Sequence, residues 1–314
     1  MVPSISSMLS DIFIEDKILQ VYINVNTCGV AENEFIQELK IMKKVSYLGP
    51  EGSWSDLCSK LWVPDYVSVP CKSMEEALEK AETGSSDICV IPVENSTEGP
   101  VPQVLDMLTD SPLNIVGERI MNIRHSLMSN SREIKIVYSH QQAIAQCRKS
   151  IRRLYPDAVV TPVSSTSEKW MEAAGEKGVA IIGSPWVSRK YGIKIINSDI
   201  SDYPVNLTRF IGLGNSLIRG NGRSKASLSF SLPNDGPGSL VSALKPLSDR
   251  KINLSMVVSR PDKNSPGSYR FFIDCIEFSS VENLEDAVEE MKKMGAVVSL
   301  KGIYERSSWA DPDY

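Results

Sequence analysis

From Val45 onward, short runs rich in β-branched residues alternate with helix-length amphipathic stretches, and this alternation restricts the fold more than any other feature of the chain. Runs at 45–48, 67–69 and 87–91 read as strands. Between them lie a helix that Ser53 opens and that runs to Trp62, and a second one behind the capping box Ser73-Met74-Glu75-Glu76. Strands separated by helices need crossover connections, and crossovers produce a largely parallel sheet of the α/β class. A helix over 101–108 follows, and 115–128 reads as extended chain crossing to a second lobe. There the pattern repeats, with strands at 134–138, 158–162 and 179–182 and helices at 141–154, 167–176 and 185–191. Residues 193–200 return toward Asn206-Leu207-Thr208-Arg209-Phe210, which enters an apolar strand. The expectation is a bilobal, periplasmic-binding-protein-like domain over 44–215, with lobe 1 at about 44–118 plus 200–215 and lobe 2 at about 119–199. A cleft between two such lobes is a usual place for a small ligand.

Residues 216–224, rich in Gly, Asn and Arg, read as a linker. Beyond it come a strand at 226–232, a helix at 239–247, strands at 252–259 and 269–276, a helix at 284–294 and a strand at 296–304. This βαββαβ order is ferredoxin-like and defines a second domain over 225–305, with 306–314 as a tail. Residues 1–43 carry a strand-like run at 21–25 and helical character from Glu32 to Met42. They read either as an extra packing element or as an extension upstream of Met42.

Charge and residue usage exclude several functions. A net charge of -5 with dispersed Lys and Arg argues against a nucleic-acid interface. No stretch is long and apolar enough to span a membrane. The N-terminus has no basic region ahead of an apolar core, and it carries Asp11, Glu15 and Asp16 without Arg, unlike a secretory or organellar leader; the expected location is cytoplasmic. Cys28, Cys58, Cys71, Cys89, Cys147 and Cys275 include no CxxC pair and read as reduced core thiols. With only His125 and His140, a multi-histidine metal site is not expected and Ser-His-Asp chemistry has little room. Neither a metal nor an organic cofactor is expected.

Four polar loops fall at strand ends, where open α/β sheets hold ligands. Gly49-Pro50-Glu51-Gly52-Ser53 opens a helix whose N-terminus can hold an anion, or is a plain capped turn. Glu94-Asn95-Ser96-Thr97-Glu98-Gly99 presents an acid, an amide and two hydroxyls directly after an apolar strand. Tyr138-Ser139-His140-Gln141-Gln142 begins the helix that carries Gln146, and Ser139 would serve equally as its N-cap. In the fourth loop, strand alternation puts Asn206 and Thr208 on one face and Leu207 on the other. Each loop alone has a structural reading as a turn or cap; together they point to a small-molecule site.

Taken in order, Tyr47-Leu48-Gly49-Pro50-Glu51-Gly52, Pro92-Val93-Glu94-Asn95-Ser96-Thr97-Glu98-Gly99, Tyr138-Ser139-His140 with Gln146, and Asn206-Leu207-Thr208-Arg209-Phe210 resemble the prephenate dehydratase family with its C-terminal ACT regulatory domain, over about 45–304. The departures are Ser53-Trp54-Ser55 for the family's Thr-Phe-Ser and Gln141 for a frequent Pro. The resemblance implies conversion of prephenate to phenylpyruvate with loss of water and carbon dioxide, on the route to phenylalanine. It implies active-site residues at Glu94, Asn95, Ser139, Gln146 and Thr208, with substrate contacts at Glu51, Gly52, Ser53, Ser96, Thr97 and Arg209. A threonine hydroxyl is too weak an acid to give up a full proton here. It can donate a hydrogen bond that strengthens as charge grows on the leaving oxygen, so Thr208 is assigned to the leaving group. Asn95, Ser139 and Gln146 are then positioning donors, and Glu94 is the candidate general acid provided burial raises its pKa. Arg209 either neutralises a substrate carboxylate or forms a structural salt bridge.

In the C-terminal unit, Gly238-Ser239-Leu240-Val241 matches the family's Gly-Ala-Leu-Val, and Ser259-Arg260-Pro261 matches the end of its Glu-Ser-Arg-Pro, with Val258 at the Glu position. These stretches imply phenylalanine bound between paired ACT domains, feedback inhibition, and a homodimer or homotetramer. Two alternatives stay open: an arogenate dehydratase, and a non-catalytic amino-acid-binding sensor on the same lobes.

Overall fold

Two serine-capped helices set the first βαβαβ unit. β1 (Lys44–Leu48) leads to α1 (Trp54–Trp62), whose N-cap Ser53 accepts from the Asp56 amide; β2 (Val67–Cys71) leads to α2 (Met74–Glu82), where Ser73 accepts from the Glu76 amide. β3 (Ile88–Asn95) returns beside β1, parallel to it as β2 is. The computed structural model describes residues 42–163, 167–215, 224–233, 236–263 and 265–308. The strand reading of 21–25 and the helical character expected from Glu32 lie outside the described residues.

The chain continues through β4 (Gly99–Pro100), α3 (Pro102–Asp110) and β5 (Asn114–Asn122). Lobe 2 follows as β6 (Ser126–Met128), β7 (Ile136–Ser139), α4 (Gln141–Gln146), α5 (Arg148–Leu154), β8 (Val159–Pro162), α6 (Ser167–Gly175), β9 (Val179–Gly183), α7 (Trp186–Tyr191) and β10 (Ile195–Asn197). β11 (Leu207–Gly214) then re-enters the first sheet, giving the order β2-β1-β3-β11-β5 with β4 beside β3; the second sheet runs β10-β6-β9-β7-β8. β11 is antiparallel to both neighbours, and all eight of its residues are buried. The crossing falls at 123–125, later than the pattern suggested, because β5 stays paired with β11 as far as Asn122 opposite Leu207.

The helix expected over 141–154 is two helices. Buried Cys147 leaves helical geometry at φ -117°, ψ 7°. The Asp202 carboxylate, brought in from the return segment, accepts from the Lys149 and Ser150 amides at 2.7 and 2.9 Å and so caps the second helix from outside.

The C-terminal domain is the expected βαββαβ unit: β12 (Ser224–Ser231), α8 (Ser239–Asp249), β13 (Asn253–Pro261), β14 (Tyr269–Ile276), α9 (Val281–Lys293) and β15 (Val297–Glu305), in the sheet order β13-β14-β12-β15. One face of this sheet packs on its own helices, through Phe230, Phe271, Leu284 and Met291. Phe272 and Tyr304 instead share a core with Leu105, Ile115 and Ile211 of lobe 1, and Met256 and Val258 pack against it. β15 comes so close to β5 that a Cβ on Gly302 would collide with the Ile115 carbonyl. Cys58, Cys71, Cys89, Cys147 and Cys275 are free and buried. Among the described residues no helix is long and apolar enough to cross a membrane.

Candidate active site

The strand ends of both lobes face a cleft of about 960 Å³. Lobe 1 lines it with Gly52, Ser53, Lys72, Asn95, Thr208 and Phe210, and lobe 2 with Ser139, Gln142, Gln146, Trp170 and Ser184.

Thr208 and Asn95 are register partners on β11 and β3. Asn95 Nδ2 donates to Thr208 Oγ1 and to Asn206 Oδ1, both at 2.9 Å. The Thr97 amide and hydroxyl donate to Asn95 Oδ1 at 2.9 and 2.5 Å. A backbone N–H can only donate, so it fixes which end of the Asn95 amide faces Thr208. The polarity then runs on without ambiguity: Asn206 Nδ2 donates to Gln146 Oε1 at 2.9 Å, and Gln146 Nε2 donates to Glu98 Oε1 at 3.1 Å. A carboxylate that can only accept ends the chain, as an amide that can only donate begins it. Thr208 Oγ1, which accepts from Asn95, keeps its own proton for the cleft.

His125 lies 3.1 Å from Gln146 Oε1 through Nε2, and because Oε1 accepts, the ring donates. Burial pushes its pKa down to about 4, so the imidazole is neutral at pH 7. Glu98 also accepts from Gln142 Nε2 at 2.7 Å, so one lobe 1 carboxylate grips two α4 side chains across the cleft. Ser139 is the last residue of β7 rather than an N-cap; its hydroxyl donates to the Ile182 carbonyl at 2.7 Å, and His140 caps α4 through Nδ1. Gly52, at φ +87°, lies under Trp170.

Five expected site residues fall elsewhere. Arg209 follows Thr208 on the strand, so pleating turns it to the opposite face, where it is 2% exposed. It donates through Nε to Glu118 and through Nη1 to Asp274, both at 2.6 Å, and through Nη2 to Tyr304 at 2.9 Å. Glu94 precedes Asn95 and is turned the same way, 3.5 Å from Arg209 Nη1; it is not placed to act as an acid in the cleft. Glu51 pairs with Lys190 of α7 instead of reaching the cleft. Ser96 accepts from the Leu207 amide at 2.9 Å and Thr97 holds Asn95, so both support the site from behind.

The effector stretches start α8 and run along β13. Gly238, at φ +84°, is the N-cap; Ser239, Leu240 and Val241 form the first turn, and Val241 is 74% exposed. Ser259 and Pro261 point outward on β13, whereas Arg260 is turned to Asp106 of α3 at 3.2 Å. Val258 packs against the core shared with lobe 1, so the family's Glu position faces the catalytic domain here.

His125, Lys72, Trp170 and the gripping role of Glu98 were missed. His125 sits just past the end of β5, at the crossing between lobes, and that position was the available signal. Trp170 gave none, because it falls on the apolar face of a helix.

Residues 45–217 match the family model described as prephenate dehydratase. The chain belongs to the prephenate dehydratase family. Residues 226–294 match the ACT domain, so the family's catalytic unit is joined here to an ACT unit. A bifunctional chorismate mutase/prephenate dehydratase of Stutzerimonas stutzeri is 31% identical over 84% of this chain and 73% of its own length. A prephenate dehydratase of Methanocaldococcus jannaschii is 32% identical over 83% of this chain and 98% of its own. The crystal structure of a prephenate dehydratase from Arthrobacter aurescens in complex with L-Phe has a TM-score of 0.76 at 29% identity, covering 86% of this chain and 92% of that one.

Proposed function

We propose that this chain converts prephenate to phenylpyruvate. The bond between the ring and its carboxylate breaks and releases carbon dioxide. The electron pair left behind aromatises the ring, and the ring C–O bond breaks to expel hydroxide, which takes up a proton and leaves as water. Aromatisation drives the reaction, so the protein has to orient the dianion and steady the departing oxygen. Thr208 is the donor to that oxygen, and the observation that carries the assignment is the 2.9 Å bond from Asn95 that leaves the threonine proton for the cleft. Gln146 keeps one Nε2 hydrogen with which to orient the substrate; Ser139, whose proton goes to the Ile182 carbonyl, offers it only an acceptor, and Asn95, whose two amide hydrogens go to Thr208 and Asn206, acts through Thr208. Glu94 and Arg209 have no part in contacting it.

Prephenate is preferred to its amino-acid analogue arogenate because the described cleft lining has no Asp or Glu to meet an ammonium, the adjacent Glu98 carboxylate being taken up by Gln142 and Gln146, and its one lysine is Lys72. Both substrates carry two carboxylates, which Lys72 can meet; arogenate differs in bringing an ammonium where prephenate has a ketone. Following phenylpyruvate formation from prephenate, with arogenate in parallel, tests the reading. Wild-type turnover of prephenate is expected, with Thr208→Ala slower by about 10²–10³-fold at little-changed KM. Full activity in that variant would sink the assignment.

We further propose feedback inhibition by phenylalanine bound between paired ACT domains, in a cytoplasmic homodimer or homotetramer. β13 is a sheet edge with Val257, Ser259 and Pro261 turned outward, which supports pairing there. Millimolar phenylalanine is expected to inhibit turnover and raise Tm; no effect on either would remove the feedback reading.

A further inference from the structure

Arg209 is buried with three other charged side chains that come from three different strands. Glu118 lies on β5, Asp274 on β14 and Lys225 on β12; Lys225 Nζ reaches Glu118 at 2.8 Å. Ser227 bonds both Asp274, at 2.5 Å, and the Tyr304 hydroxyl, at 2.6 Å. The guanidinium is thus held on one side by its own lobe and on two sides by the C-terminal domain. A buried charge with several fixed partners cannot shift without leaving one of them uncompensated.

Thr208 is joined to this anchor by one peptide bond. The β3–β11 ladder is irregular just beyond it: Arg209 pairs with Glu94, but Phe210 pairs with Pro92, leaving Val93 unmatched. Bulges loosen and re-aim the strand where they occur. On the β5 side the ladder runs unbroken from Leu207 to Gly212, so the irregularity is confined to the β3 side next to Arg209, and there the Arg209 anchor holds the strand that aims Thr208.

We propose that Asp274 and Tyr304 of the ACT domain are positioning residues for Thr208, acting through Arg209. The ACT sheet is then part of the apparatus that aims the leaving-group donor, and any displacement of that sheet is felt at Thr208 through Arg209. The inference rests on the role given to Thr208 above.

The test uses the full chain with prephenate. Tyr304→Phe removes one bond to Arg209 and keeps the ring in the shared core. It is expected to lower kcat about tenfold with KM within twofold, a usual size for a change transmitted between sites. Lys301→Met is the control: it breaks a different bond between the domains, where Lys301 Nζ donates to the Ser111 carbonyl at 3.1 Å, and that bond involves neither Arg209 nor any of its partners. It is expected to lower Tm and leave kcat within twofold. Unchanged kcat in Tyr304→Phe, or an equal fall in Lys301→Met, would overturn the proposal while leaving the reaction assigned. A wild-type chain that leaves prephenate untouched would remove the reaction and the proposal with it.

Discussion

Asn95 and Thr208 face each other across β3 and β11, and the amide of the first donates to the hydroxyl of the second at 2.9 Å. The threonine is therefore an acceptor on its protein side and a donor on its substrate side. The backbone amide of Thr97, two residues along, enforces this division of roles.

Asn95→Ala should lower kcat by about 10²-fold while leaving the fold intact, because Thr208 then loses the bond that orients its proton. Thr208→Ala and the double variant should be nearly as slow as each other, since the two residues act as a unit. Steady-state kinetics on all three check this, and multiplicative losses would contradict it.

His125 makes stability depend on pH. Its folded pKa, lowered to about 4 by burial, lies below the unfolded value near 6.5. Between those values the unfolded chain binds the extra proton, so stability is fully present above about pH 6.5 and is lost as pH falls toward 4. The slope approaches ~1.4 kcal/mol per pH unit. His125→Gln should be less stable at pH 7 but flatter between pH 7 and 4.5 in urea titrations. Parallel curves for the two proteins would disprove the role of His125.

Lys72→Gln should raise the KM for prephenate about fivefold with kcat little changed, the modest effect of one exposed charge at a cleft mouth. The effect should shrink at high salt. KM values at two ionic strengths give the answer, and a salt-independent change would point to lost packing instead.

Gly302→Ala should loosen the junction between the domains. The added methyl meets the Ile115 carbonyl on β5, with backbone on both sides and no flexible side chain to give way. A loss of about 2 kcal/mol or more is expected, as for overpacking elsewhere. Thermal melts of the purified variant measure it, and an unchanged Tm would show that β15 can move away from β5 at little cost.

Much of this architecture is legible in the residues. Capping serines at positions 53 and 73, alternating strands and helices, and the βαββαβ order after residue 224 each follow from local chemistry that the tertiary structure leaves in place. So does the shared face of Asn206 and Thr208, which follows from pleating alone. The same pleating places Glu94 and Arg209 on the far face, yet both sit inside contiguous motif stretches that invite a single role for every member. What covers that far face is set by Asp274 and Tyr304, 65 and 95 residues further along the chain, and no local pattern announces them. The break at Cys147 was hidden for the same reason, because the cap that makes it tolerable comes from Asp202.

The position of β11 also dictates an order of assembly. β11 is the last strand of the first sheet to be synthesised, yet it fills the place between β3 and β5. On a ribosome, lobe 1 emerges with an open slot in its sheet and cannot close it until residue 214 has left the exit tunnel. The lobe 2 sheet is contained within residues 126–197 and has no such wait. The nascent chain should therefore complete its second lobe before its first, reversing the usual amino-to-carboxyl progress of domain folding.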